Sequence, residues 1–203
     1  MRNEWPLALH EDMICTRLPA SESNFQSNQP IQMDFLANTL ADSGTKAISL
    51  SPFAQCIVLS ALYGRCMAHR QQAHSAVISG LNSSNVWTGT EWLAVTLQKW
   101  TQQLADASSV TWELAERDPM LTFTHMLAHS AIIHIYYTIQ ILPSPIGEHP
   151  CGIIAGELER RAYQAASYTA RLAKAVPQLS CFKASTALFI HTIQPLITPL
   201  FDL

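Results

Sequence analysis

Along most of the chain, apolar residues recur three and four positions apart, the repeat of helices that bury one face. The first fifty residues are the exception. "RLPASESNFQSNQP" is polar and bounded by prolines, and only residues 31–41 carry Ile31, Phe35, Leu36 and Leu40 at helical spacing. The spacing predicts a loop-rich segment with one short helix over 1–50, followed by a helical domain over 51–203.

The first long helix begins at "SPF", with Ser51 as N-cap and Pro52 in the first turn, where a missing N–H costs nothing. It runs through "FAQCIVLSALYGRCMAHRQQAH" and turns polar after Gly64, so its early turns are expected in the core and its last turns at the surface. "LNSSNVWTGT" is read as a loop, and a second helix is predicted over 91–107, with Leu93, Leu97, Trp100 and Leu104 along one face. Asp118 and Pro119 start a third helix. A fourth is predicted over 156–176, where Leu158, Ala162, Ala165, Thr169, Leu172 and Val176 form a seam of mostly small residues that lets a neighbour approach closely. Pro177 stops it, and a last helix is predicted over 182–194, ended by Pro195. No strand ladder, GxGxxG, P-loop or internal repeat occurs, so the expected fold is all-α, an irregular bundle of about five to seven helices.

The third helix raises the main chemical question. "HMLAHSAIIHIYY" holds three histidines. At about 100° per residue, His125, His129, Tyr136 and Gln140 fall within about 60° of one another, with Thr122 at the edge. His134 lies roughly 140° from His129, in the sector of Phe123, Leu127 and Ile141, so it cannot join the other two as a ligand. A zincin needs a glutamate beside the first histidine, where this chain has Met126. No metal site is expected. Either the pair is partly buried on a mixed helix face, or Thr122, His125, His129 and Tyr136 line an effector pocket. The helix is apolar around most of its circumference and long enough to span a membrane, yet its histidines, threonines and glutamine would be costly in lipid. A central helix of a bundle is the better reading.

No catalytic residues are expected. No serine sits on a nucleophile elbow; Glu157 and Glu159 point apart on a helix; Cys66 and His69 are helical neighbours without a visible activating group.

Composition narrows the partners. Apolar residues make up 48% and charged residues only 13% of 203, which implies surface covered by a partner or by more of the same protein. The net charge is −3 and the twelve Lys and Arg are scattered, so no basic stripe exists to neutralise phosphates, and direct nucleic-acid binding is not expected. The five cysteines have no short spacing and read as reduced thiols in packed helices of an intracellular protein. The N-terminal residues hold no continuous apolar run, which argues against a secretory signal.

Several segments, in order, resemble the regulatory domain (middle homology region) of fungal zinc-cluster transcription factors. "TRLPASESNF" is similar to that family's leucine-proline segment, with Ala20 in place of its cysteine. "SPFAQCIVLSALYGRCMAHR" resembles the next helix, with its Tyr-Gly-Arg step. In "HMLAHSAIIHIYY", His129 matches the motif histidine, but Ala128 replaces the tyrosine and the Arg-Pro end is absent. "YQAASYTARLAKAVPQLSCFKASTALFIHTI" resembles the alanine-rich helix and its successor. The resemblance covers 16–195 and implies the C-terminal half of a regulatory domain. It implies transcription regulation by RNA polymerase II, in the nucleus and without catalysis. Such regulators begin with a six-cysteine zinc cluster that reads DNA. No Cys-x2-Cys occurs here, so neither zinc nor DNA reading carries over to these residues, and no cofactor is expected in this chain. The expected partners are another protein or the first half of the same regulator, and a small-molecule effector. A stand-alone sensor or interaction module is the alternative.

Overall fold

The computed structural model describes residues 13–28, 30–41, 50–80, 84–107, 118–143 and 151–175. Six helices follow in order: α1 (Glu22–Gln26), α2 (Leu36–Ala41), α3 (Pro52–Ile78), α4 (Ser84–Ala107), α5 (Pro119–Ile141) and α6 (Cys151–Ala175). Among the described residues the only extended pairing is an isolated bridge between Arg17 and Phe35. The fold is all-α, as the periodicity implied. The expected helix over 182–194 lies outside the described residues.

Local signals set the helix starts. The Ser51 side chain accepts from the Ala54 N–H at 3.2 Å, and Pro52 occupies the first turn. Asp118 does the same for α5, accepting from the Leu121 N–H at 2.9 Å ahead of Pro119. At the far end of α3, Gly80 takes φ +63°, the left-handed position past a helix terminus where a side chain would be strained.

Two elements differ from the sequence reading. The described part of the first fifty residues holds two short helices, not one, because Ser21 caps an extra turn by accepting from the Asn24 N–H. More substantially, α4 begins at Ser84, so most of "LNSSNVWTGT" is helix and not loop. Tertiary contact overrides the weak local propensity of Ser, Asn, Gly and Thr there. Trp87 packs into a small cluster with Ala73 and Leu142, and the His69 Nε2 meets the Thr90 Oγ1 at 2.9 Å. Gly89 is what permits this approach: a Cβ there would stand 2.7 Å from His69 Cε1. Burial along α3 accordingly continues past Gly64, to Cys66, His69 and Ala73.

The centre of the molecule is α5, which packs against α3, α4 and α6. Buried apolar residues lie on every side of it, Leu127, Ile132, Ile133 and Ile135 among them. Thr124 and Thr138 donate to the carbonyls of Met120 and His134, which satisfies their hydroxyls inside the core. No helix of the described residues is long and apolar enough to cross a membrane. From α4, Leu93, Leu97, Trp100 and Leu104 reach the same core; from α6 come Leu158, Ala162, Ala165 and Leu172. Each of these buried leucines contributes about 1.5–3 kcal/mol by leaving water, and each alanine about a methyl's worth, roughly 0.8 kcal/mol.

The N-terminal segment shares this core, since Leu18, Leu36 and Leu40 belong to one buried cluster with α3–α6. The Leu18 N–H donates to the Asp34 carbonyl at 2.9 Å, and the Ser51 hydroxyl donates to the Pro19 carbonyl at 3.3 Å. The "RLP" step is thereby pinned between α2 and the start of α3. Cys56 and Cys66 are buried thiols, whereas Cys15 is exposed in irregular chain and departs from the expectation of packed-helix cysteines.

Candidate functional site

α4 and α6 both lie on α5 but make few contacts with each other. A cleft of about 440 Å³ opens between them. His129 and Ile132 from α5, Thr101 from α4, and Arg161, Gln164, Ala165, Ser167, Tyr168 and Arg171 from α6 line it. This is a volume ordinary for small-ligand sites.

The histidines of α5 divide as the helical wheel implied. His134 faces α3: its Nε2 meets the Tyr63 hydroxyl at 3.1 Å and its Nδ1 meets the Arg70 Nη1 at 3.3 Å. A guanidinium only donates, so Nδ1 accepts and the imidazole proton sits on Nε2, donating to Tyr63. His134 is therefore neutral and fully used. On the cleft side, His125 and His129 stack with ring centroids 6.5 Å apart, and Tyr168 from α6 lies 4.5 Å from the His129 ring. The His129 Nδ1 is sealed from solvent and has no hydrogen-bond partner.

Electrostatics reinforce this division. Burial pulls His125 down to about 4, and burial with Arg70 beside it pulls His134 down to about 4. His129 falls to about 3, from burial first and then the neighbouring His125. All three are neutral imidazoles at neutral pH. Across the cleft stand two cations. Burial lowers Arg161 somewhat, and its Nη1 donates to Gln98 Oε1 at 3.2 Å, while Arg171 lies over the Tyr168 ring at 5.6 Å. Glu157 on α6 is exposed and paired with Arg160 at 2.6 Å, and it also raises Arg161 from a distance.

Of the four residues the sequence singled out, only His129 lines the cleft. His125 is buried behind it, in ring contact with Tyr168 at 6.1 Å. Thr122 is buried and its hydroxyl donates to the Asp118 carbonyl at 3.2 Å. Tyr136 donates to Glu159 Oε1 at 3.2 Å and accepts from Gln140 Nε2 at 2.8 Å, tying α5 to α6. The residues sequence reasoning missed are on α6. Arg161, Gln164, Tyr168 and Arg171 follow a 3-4-3 spacing beside the small-residue seam, a stripe that was available in the sequence but unremarkable without its facing helix.

Other reactive groups are quiet. Burial pushes the Cys66 thiol up, away from thiolate, and His69 is engaged by Thr90. Glu157 and Glu159 serve different partners, Arg160 and Tyr136. Among the described residues no three His, Cys, Asp or Glu side chains converge on one point.

The fold and cleft describe an all-helical module with a polar, cationic cleft and, among the described residues, no cluster of three metal-ligating side chains. Comparison with known proteins places it. The chain is homologous to fungal transcription factors of biosynthetic gene clusters. It is 39% identical over 192 residues to a transcription factor of Aspergillus terreus, an alignment covering 89% of this chain and 30% of the relative. It is 36% identical over 204 residues to the asperfuranone cluster transcription factor afoA of Emericella nidulans, covering 91% and 30%. With the citrinin biosynthesis transcriptional activator ctnR of Monascus purpureus it shares 32% over 197 residues, covering 97% and 32%. The chain thus spans about 30% of the length of these relatives. No protein-family profile matches it, and no solved structure does.

Proposed function

We propose that this chain acts as a regulatory domain in transcription of a fungal biosynthetic gene cluster, in the nucleus and without catalysis. The observation that carries the reading is homology over about nine-tenths of the chain to transcription factors of such clusters. The physical features agree with it. The helices are held together by a continuous apolar core, and the three α5 histidines are buried and neutral, which suits packing and recognition more than acid–base chemistry. Its scattered Lys and Arg offer no phosphate-tracking stripe, so its influence on DNA runs through a protein partner or through other parts of a regulator of the relatives' kind.

Deleting the coding sequence for residues 51–175 in the native host and sequencing RNA tests this. The expected result is a coordinated fall in the transcripts of one contiguous set of biosynthetic genes. A transcriptome unchanged beyond the edited locus would overturn it.

A further inference from the structure

We propose that the α4–α5–α6 cleft binds a small planar aromatic carboxylate. The inference stands on the cleft alone and does not depend on the transcriptional role.

Three features select that chemistry. The first is charge: Arg161 and Arg171 line the cleft, and among the described residues no Asp or Glu does. Neither guanidinium is in direct contact with a carboxylate among the described residues: Glu157 pairs with Arg160 and acts on Arg161 only at longer range, and the Arg161 Nη1 donates to an amide oxygen. Two unmatched guanidinia in a recess favour an anion, and the planar fork of each suits a carboxylate.

The second is shape. Tyr168 leans over His129, and Ile132 and Ala165 supply apolar floor between them. A flat ring can lie against that apolar surface beside Tyr168, whose ring Arg171 overlies, with its carboxylate turned to one of the arginines. The third is an unmet polar atom. His129 lines the cleft, and its Nδ1 is enclosed without a partner; of the buried polar atoms left so among the described residues, it is the one on a cleft-lining side chain. A buried polar nitrogen left alone is unfavourable, and a turn of the His129 ring toward the cleft would let a hydroxyl or carbonyl on the ligand answer it. Gln164, Ser167 and Thr101 at the rim offer further polar contacts. A bare inorganic anion would use the arginines but leave the ring surface and His129 unused.

The test is calorimetric titration of the whole chain with salicylate, which carries ring, carboxylate and an adjacent hydroxyl. Benzamidine (a ring with positive charge) and inorganic phosphate (an anion without a ring) serve as comparators. Salicylate is expected to bind with Kd on the order of 1 mM, as suits a fragment of its size. Binding should weaken about tenfold in Arg171→Gln and in Arg161→Gln, and stay unchanged in Arg160→Gln, whose side chain lies outside the cleft. Arg171 is exposed, so its replacement decides the matter even if Arg161→Gln folds poorly. Benzamidine binding as well as salicylate would overturn the charge assignment. Phosphate binding as well as salicylate would overturn the ring. No saturation by salicylate, or equal affinity in all three variants, would overturn the site itself.

Discussion

The two sides of α5 put the same residue type to opposite uses. Toward α3, His134 is closed in by Tyr63 and Arg70, and each ring nitrogen has a partner. Toward α4 and α6, His129 sits under Tyr168 at the edge of a cleft with Nδ1 unanswered. The two are five positions apart on one helix, and both are held neutral by burial. What separates them is the neighbour. α3 packs extensively on α5 and leaves no space, whereas α4 and α6 straddle it and leave a groove. A histidine's role is thus decided by whether the facing helices satisfy it, more than by its own burial or ionisation.

The largest expected effect removes support common to both sides. Trp100 of α4 is fully buried in the core cluster that includes α5. Trp100→Ala should destabilise by about 3–5 kcal/mol, enough to unfold a marginal domain, as read by urea denaturation. A loss under about 1 kcal/mol would mean that α4 is not part of the core.

Acid should act on both sides together. His125, His129 and His134 titrate near 3 to 4 in the fold, against an ordinary value of 6.5. Below pH 6.5 the unfolded chain therefore takes up protons that the fold refuses. Their contribution is complete above that pH and declines as pH falls toward about 4, by at most about 1.4 kcal/mol per pH unit for each histidine. Denaturation midpoints measured from pH 7.5 down to 4.5 would show the decline, and flat midpoints would contradict the buried neutral state. A smaller effect separates the sides. Tyr63→Phe leaves the His134 Nε2–H without its acceptor and should destabilise by about 1–2 kcal/mol, while Tyr168→Phe, on the open side with no hydroxyl bond to lose among the described residues, should change stability by less than about 0.5 kcal/mol.

Much of this arrangement was legible beforehand. The caps at Ser51 and Asp118, the α4 face of Leu93, Leu97, Trp100 and Leu104, and the small seam of α6 all follow local rules that the fold obeys. The separation of His134 from the His125/His129 pair follows from helical geometry alone. The start of α4 was not legible. Its first turns depend on Trp87 reaching Ala73 and on Gly89 clearing His69, contacts between residues far apart in sequence. The cleft was half legible for the same reason. His129 stood out on its own helix, but Arg161, Tyr168 and Arg171 gain meaning only from the orientation in which α6 docks on α5.

The most direct test of the contrast is paired denaturation of His134→Leu and His129→Leu at neutral pH. The first takes one hydrogen-bond partner from the Tyr63 hydroxyl and one from the Arg70 guanidinium, and should lose about 2–3 kcal/mol. The second removes a buried nitrogen that has no partner, and should lie within about 1 kcal/mol of the parent protein, in either direction. Equal losses in the two variants would contradict the account, because they would show His129 to be as structurally committed as His134.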